Sequence, residues 1–265
     1  EGGFLYSDLR QIPLWKPGMA AKLLEVQAEG KPTVVFIAGA HKPWDKYLLT
    51  PAETKILYAD TVANGANPWY GVPLKLIDKP GAQAAAEMNH FLVRNREYYE
   101  NTRSSARVAI YWSCKTADFY RASVPVTDFT PQGERLETRR KAGNYYASFV
   151  GCYEILLRSH IPFDVLDDVA VSTGNLNRYD LVFIPNCACI SEDNIVALKE
   201  YMQNGGNIVS SFEASLFDEH GDRREDFGLS EVFGVSVGKG VFGPMTLDYM
   251  SIVAEASYIM DGTSA

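Results

Sequence analysis

Apolar residues in this chain fall in short unbroken runs, each followed by a polar turn and a longer stretch whose apolar positions lie three and four apart. The clearest case lies between residues 179 and 215. Leu181, Val182, Phe183 and Ile184 form a run too short for a helix, as suits a strand covered on both faces. Ser191 followed by Glu192 and Asp193 is a helix start, and Ile195, Leu198, Tyr201 and Met202 recur at helical spacing. Gly205 and Gly206 end that helix, because glycine enters the left-handed region without steric cost. A second run from Asn207 to Phe212 follows. Strand, helix and strand in this order predict a parallel pair joined by a right-handed crossover.

The same alternation runs through the first hundred residues. It predicts a short apolar piece from Gly3 to Tyr6, a helix opened by Pro17 and running to Gln27, and a buried strand from Thr33 to Ala38. Thr50-Pro51-Ala52-Glu53 combines an N-cap, a proline at the first helical position and an acid in the first turn. A strand end at Asn67 to Gly71 and a long helix from Gly81 to Tyr99 complete this part. Such strand and helix units fit the last portion of an eightfold barrel and equally the edge of an open parallel sheet. The polar stretch Asn101 to Ser105 reads as a boundary between residues 1–104 and a second unit, 105–237, with 238–265 a linker or the start of a further β-domain. In the second unit, Ala106 to Trp112 and Phe163 to Leu166 read as strands. Tyr145 to Ser159 reads as a helix with Phe149, Cys152, Ile155 and Leu156 inward, and Glu225 to Gly234 as a short helix. Lys115 to Arg139 is a long irregular excursion.

Composition narrows the function classes. With 46% hydrophobic and 22% charged residues the chain is an ordinary globular α/β protein, and its formal charge of -8 argues against nucleic acid as a partner. No run approaches the roughly 18 to 20 apolar residues of a membrane span, so no membrane partner is expected. The chain opens at Glu1 rather than at a methionine, inside what reads as a structured segment, which predicts a cut or processed chain. Missing targeting signals therefore assign the parent to no compartment.

Candidate chemistry is sparse. Cys187 and Cys189 sit two apart, yet Cys114, Cys152 and the four histidines offer no paired spacing to complete a zinc site, and no metal or cofactor is expected. Strand, cysteine and helix also suggest the nucleophile position of class I glutamine amidotransferases, to whose fold the second unit is similar. Asn186-Cys-Ala-Cys-Ile lacks the glycines of that turn, and no His-x-Glu follows, so the reading is that fold without that activity. Gly238-Lys-Gly-Val-Phe-Gly243 matches the dinucleotide pattern but meets Pro244 in place of a helix. The acidic stretch Asp218 to Asp226 lacks the spacing of a helix-loop-helix calcium site and reads as a solvated loop. In the first unit, His41, Trp44, Asp45 and Tyr47, with Trp69 and Tyr70, would gather at the ends of barrel strands. Aromatic rings beside such polar groups suit a sugar.

Lys31 to Asp45, Thr50-Pro-Ala-Glu53 and Ala63-Asn-Gly-Ala-Asn-Pro68 resemble the last strands of the catalytic barrel in bacterial glycoside hydrolases related to family 42 β-galactosidases and α-L-fucosidase-like proteins. Tyr179 to Pro185, Gly205 to Val209 and Phe227 to Val235 resemble the flavodoxin-like, amidotransferase-like β-galactosidase trimerisation domain that follows the barrel in that group. The resemblance implies a carbohydrate substrate and a homo-oligomer. It also implies that Glu1 is a catalytic carboxylate, with His41, Trp44, Asp45, Trp69 and Tyr70 lining the sugar site. Glycoside hydrolysis needs two carboxylates flanking the bond. The second would lie on an earlier strand, so this chain alone is expected to be inactive. Trp69-Tyr70-Gly71 stands where the group often has Gly-Asp-Gln, which leaves the sugar open between galactoside and fucoside. The alternative is a non-catalytic carbohydrate-binding or assembly module.

Overall fold

The computed structural model describes residues 14–28, 30–40, 47–120 and 144–238. In chain order these form α1 (Lys16–Gln27), β1 (Val34–Ala38), α2 (Pro51–Ala63), β2 (Asn67–Gly71), α3 (Pro80–Arg94), β3 (Val108–Tyr111) and α4 (Cys114–Phe119). They continue with α5 (Tyr145–Arg158), β4 (Phe163–Leu166), α6 (Asp168–Ser172), β5 (Leu181–Pro185), α7 (Glu192–Gln203), β6 (Asn207–Ser211) and α8 (Ser230–Phe233). β1 and β2 pair in parallel, Phe36 opposite Trp69. The other four strands form a second parallel sheet in the order β4-β3-β5-β6. The fold is thus mixed α/β with parallel sheets.

Local chemistry explains where the helices begin and end. Thr50 and Glu53 form a full capping box at α2, with the Thr50 N–H donating to Glu53 at 2.7 Å and the Glu53 N–H to the Thr50 hydroxyl at 3.3 Å. Ser191 caps α7 and Asn144 caps α5, each accepting the N–H three residues on. Past α7, Gly205 adopts φ +91°, while Gly206 is bare because the Tyr201 ring lies where its Cβ would be.

Several elements depart from the sequence expectation. The helix read as running to Tyr99 stops at Arg94 and gives way to a 3-10 turn at Arg96–Tyr98. The helix read from Glu225 is the single turn α8. In α5 the inward face is Tyr145, Phe149, Tyr153 and Leu156, whereas Ile155 is 65% exposed. Tyr153 outcompetes Ile155 because its ring packs edge-on against Phe163 at 4.8 Å. Part of the excursion is the helix α4. Gly3 to Tyr6, the excursion from residue 121 onward and the stretch beyond 238 lie outside the described residues.

One helix joins the two sheets. α1 sends Ala21 and Leu24 against Val35 of β1 and Ala66 just before β2, while its Met19 and Leu23, with Trp15 just ahead of it, pack against Tyr153 of α5 and Phe163 of β4. Lys22 Nζ donates to the Phe163 carbonyl at 2.6 Å and lies 4.0 Å from Asp164. Asp164 also accepts from the Ser104 and Tyr179 hydroxyls at 2.7 and 3.0 Å and pairs with Arg178.

Candidate functional site

The two-stranded sheet has one covered and one open face. Val35 and Ile37 are fully buried against the helices, with Tyr58, Leu57 and Ala85 closing over Ile37. The alternate positions behave otherwise: Val34 is 44% and Trp69 64% exposed. A parallel strand pair normally has both faces covered. Phe36 and Trp69 meet on the open side at 5.3 Å, ring edge to ring face. The Phe36 ring leans toward the strand ends over Gly71, where a Cβ would sit 2.6 Å from it.

Trp69 and Tyr70 are adjacent in a strand and so point to opposite faces. Trp69 stands on the open face. Tyr70 turns toward the helices, its hydroxyl donating to the Gly39 carbonyl at 3.3 Å and lying 3.4 Å from the Thr54 hydroxyl, with its ring 5.9 Å from Tyr58. Burial raises its pKa. Tyr70 therefore braces the turn at Gly39 from behind, and the open face presents Trp69 and Phe36. Sequence reasoning passed over Phe36, since an unbroken apolar run does not say which alternate set a later element leaves uncovered. Tyr47, just past the turn, is 74% exposed. Glu1, His41, Trp44 and Asp45 lie outside the described residues.

A cleft of about 1300 Å³ lies at the other end of these strands, beside Thr33 and Asn67. Its polar groups are largely committed: Glu25 takes the Thr33 hydroxyl, and Asp164 holds the four partners named above.

In the second sheet the loops after β3 and β5 meet in a buried polar cluster. The Tyr111 hydroxyl donates to Asp168 and accepts from the Asn194 amide at 2.9 Å, while Ser113 and Thr116 donate to the Cys189 carbonyl at 2.8 and 3.2 Å. Asp168 in turn accepts the Cys114 N–H at 2.8 Å, and its pKa is raised by burial. Both cysteines belong to this packing. The Cys187 thiol is fully buried, 3.1 Å from the Tyr111 carbonyl, and burial drives its pKa far up. Burial also pushes the Cys189 thiol up to about 12. A nucleophilic or metal-binding cysteine needs the thiolate, which this environment disfavours. The strained turn itself is present: Asn186 holds φ +52° without any glycine, a conformation that asparagine tolerates better than most residues. Among the described residues no cluster of three or more His, Cys, Asp or Glu could hold a metal, and no helix is long and apolar enough to cross a membrane.

The profile of the β-galactosidase trimerisation domain matches residues 106–241, just over half of the chain. The chain belongs to this family. Its four-stranded sheet and the buried cysteine loops lie within the matched stretch. No curated protein sequence matches the chain. Among solved structures, it is similar to the β-galactosidase from Bacillus circulans sp. alkalophilus, with a TM-score of 0.67 and 16% identity over 90% of this chain and 37% of that one. The β-galactosidase from Rahnella sp. R3 gives 0.64 and 19% over 88% and 36%. The α-L-fucosidase isoenzyme 2 from Paenibacillus thiaminolyticus gives 0.52 and 16% over 77% and 28%. At such identities the likeness is one of fold. The chain spans little more than a third of the length of these β-galactosidases.

Proposed function

We propose that residues 1–104 are the closing part of the catalytic barrel of a glycoside hydrolase acting on a galactoside or fucoside, and that residues 105–237 form a flavodoxin-like domain that assembles it into a homo-oligomer. Residues 238–265 then begin a linker or a further β-domain. The observation that carries the barrel reading is the open face of β1 and β2. Its exposed Val34 and Trp69, with the Phe36 ring of β1 against Trp69, fit an inner face that the other strands of a barrel would cover. The order β4-β3-β5-β6, with the second strand outside the first and the third and fourth on its other side, supports the flavodoxin-like reading. The trimerisation profile supports the oligomer.

In this reading Glu1 supplies one carboxylate and an upstream residue of the parent protein the other, at the separations that retaining or inverting hydrolysis requires. Trp69 and Phe36 offer an apolar wall to the sugar ring, and His41, Trp44 and Asp45 its polar partners, while Tyr70 positions the turn. The decisive assay is turnover of aryl galactosides and aryl fucosides by the full-length parent and its Glu1→Gln variant. Turnover unchanged by that substitution removes Glu1 from the mechanism. Light scattering on the chain should give a multiple of 29.4 kDa, and a clean monomer at high concentration counts against the assembly role. The profile match begins at residue 106 and leaves the first unit uncovered, which favours an assembly module as the alternative. A parent with no second strand-end carboxylate upstream would decide for it.

A further inference from the structure

The four-stranded sheet is covered on one face and only half covered on the other. Register sets Ile110, Phe183 and Val209 side by side across β3, β5 and β6, so their side chains share a face. Burial falls away along that row: Ile110 is fully buried, Phe183 half-buried and Val209 48% exposed. The placement of α5 is the cause. Its Tyr153 ring packs on Phe163 of β4, at the far side of the sheet from β6. By helical spacing Ser148, Cys152 and Ile155 lie on the opposite flank, toward β5 and β6, and Ile155 is 65% exposed. The residues of α7 and α8 in the core pack with Val182, Ile184 and Ile208, on the other face.

The two edges of this sheet differ in the same sense. β4 is guarded: Lys22 of α1 donates to the Phe163 carbonyl at 2.6 Å, and Asp164 places a charge on the strand. β6 has no such guard. Asn207-Ile-Val-Ser-Ser211 contains neither a charge nor a proline, and among the described strands it pairs with β5 alone. Strand edges that remain single normally carry a charge, a proline or a cover. The half-open shelf formed by Val209, Phe183 and Leu181 with Ser148, Cys152 and Ile155 is likewise free of charged side chains. Apolar residues with charge excluded from their midst make up the core of a protein interface.

We propose that this shelf, centred on Val209 and flanked by Ile155, is the face on which a second copy of this chain docks. The inference rests on the homo-oligomer reading above and gives that contact a place. Two observations favour another copy as the occupant. The trimerisation profile, residues 106–241, takes in every strand and helix of the shelf. The chain carries a formal charge of -8, so two copies repel each other least where they meet through a surface without charge. Docking there covers the edge of β6 and the exposed side of Phe183 together, which is the cover that a parallel sheet requires.

Light scattering of the whole chain over a concentration series tests the assignment. Val209→Lys is expected to raise the dissociation constant about thirtyfold or more and to leave a folded monomer of 29.4 kDa, judged by a cooperative urea transition. Ile155→Lys, at an exposed helical position, should act in the same direction and carries the test should Val209→Lys misfold. Leu74→Lys, at an 83% exposed residue of the first unit, should leave assembly unchanged. A monomeric unsubstituted chain overturns the oligomer reading and this inference together. An oligomer that survives both Val209→Lys and Ile155→Lys overturns the docking face alone. So does equal dissociation by Leu74→Lys, or a loss of stability in Val209→Lys with no change of mass, which would make residues 239–265 of the same chain the cover.

Discussion

The carboxylate of Asp60, on α2, accepts the backbone N–H of Gly18 at 2.6 Å and so caps the first turn of α1 from a neighbouring helix. Trp15, the formal N-cap, offers no side-chain acceptor. Gly18 makes the approach possible, since a Cβ there would sit 2.5 Å from an Asp60 oxygen. α1 is the element that touches both sheets, so this contact braces their junction. Gly18→Ala should destabilise the chain by about 1–3 kcal/mol through loss of the cap and local overpacking. Urea denaturation measures it, and an unchanged midpoint would show that the cap contributes nothing.

Burial raises the Asp60 pKa from 3.8 to about 6, against the pull of Gly18, Lys22 and Asn64. The folded chain therefore binds this proton more tightly than the unfolded one. Stability from this group is fully present below about pH 4 and is lost as pH rises through about 6. Asp60→Asn should remove that dependence, so the stability difference between variant and parent chain shifts in favour of the variant between pH 4 and 7. A difference that stays constant across this range would place the Asp60 pKa near its ordinary value.

Trp69 and Tyr70 should separate in opposite ways. Tyr70→Ala opens a hole behind Gly39 and Tyr58 and is expected to cost about 3 kcal/mol. Trp69→Ala loses only an edge contact with Phe36, about 1 kcal/mol or less in this chain. On the proposed glycoside hydrolase reading the order reverses for function, with Trp69→Ala the variant expected to weaken sugar binding in the full-length parent. Equal stability losses in the two variants would mean that the open face is not open.

Native thiol labelling should spare Cys187 and Cys189. Their buried thiols resist ionisation, whereas Cys114 and Cys152 are half-buried and pushed only to about 11. An aromatic disulfide reagent at pH 8 is expected to reach all four only after unfolding. Modification of Cys187 in the folded chain as fast as Cys114, read by peptide mass, would reopen the case for a reactive cysteine.

The two glycines after α7 should differ in cost. Gly205→Ala meets only the positive φ, about 1 kcal/mol, while Gly206→Ala also displaces the Tyr201 ring. That ring's hydroxyl donates to the Tyr179 carbonyl at 3.1 Å and accepts the Asn207 N–H at 3.3 Å, tying the start of β5 to that of β6. Gly206→Ala is therefore expected to cost about 2–3 kcal/mol. The thermal midpoints of the pair give the comparison.

Sequence alone determined the elements whose causes lie within a few residues. The capping box at Thr50, the start at Ser191, the stop at Gly205 and the apolar runs of β1, β3, β4 and β5 depend on backbone sterics and near neighbours, and the structure places them where the pattern does. Tertiary structure decided which way those elements face. Trp69 and Tyr70 read as one aromatic pair until the helices take one side of the strand. Ile155 reads as core until Tyr153 finds Phe163. Pro17 to Gln27 reads as an ordinary helix of the first unit until Met19 and Lys22 reach β4. The turn at Asn186 carries no glycine to mark it, yet the fold holds that residue at φ +52° and buries it. In each case the deciding contact comes from a residue distant in sequence, whose position no local pattern encodes.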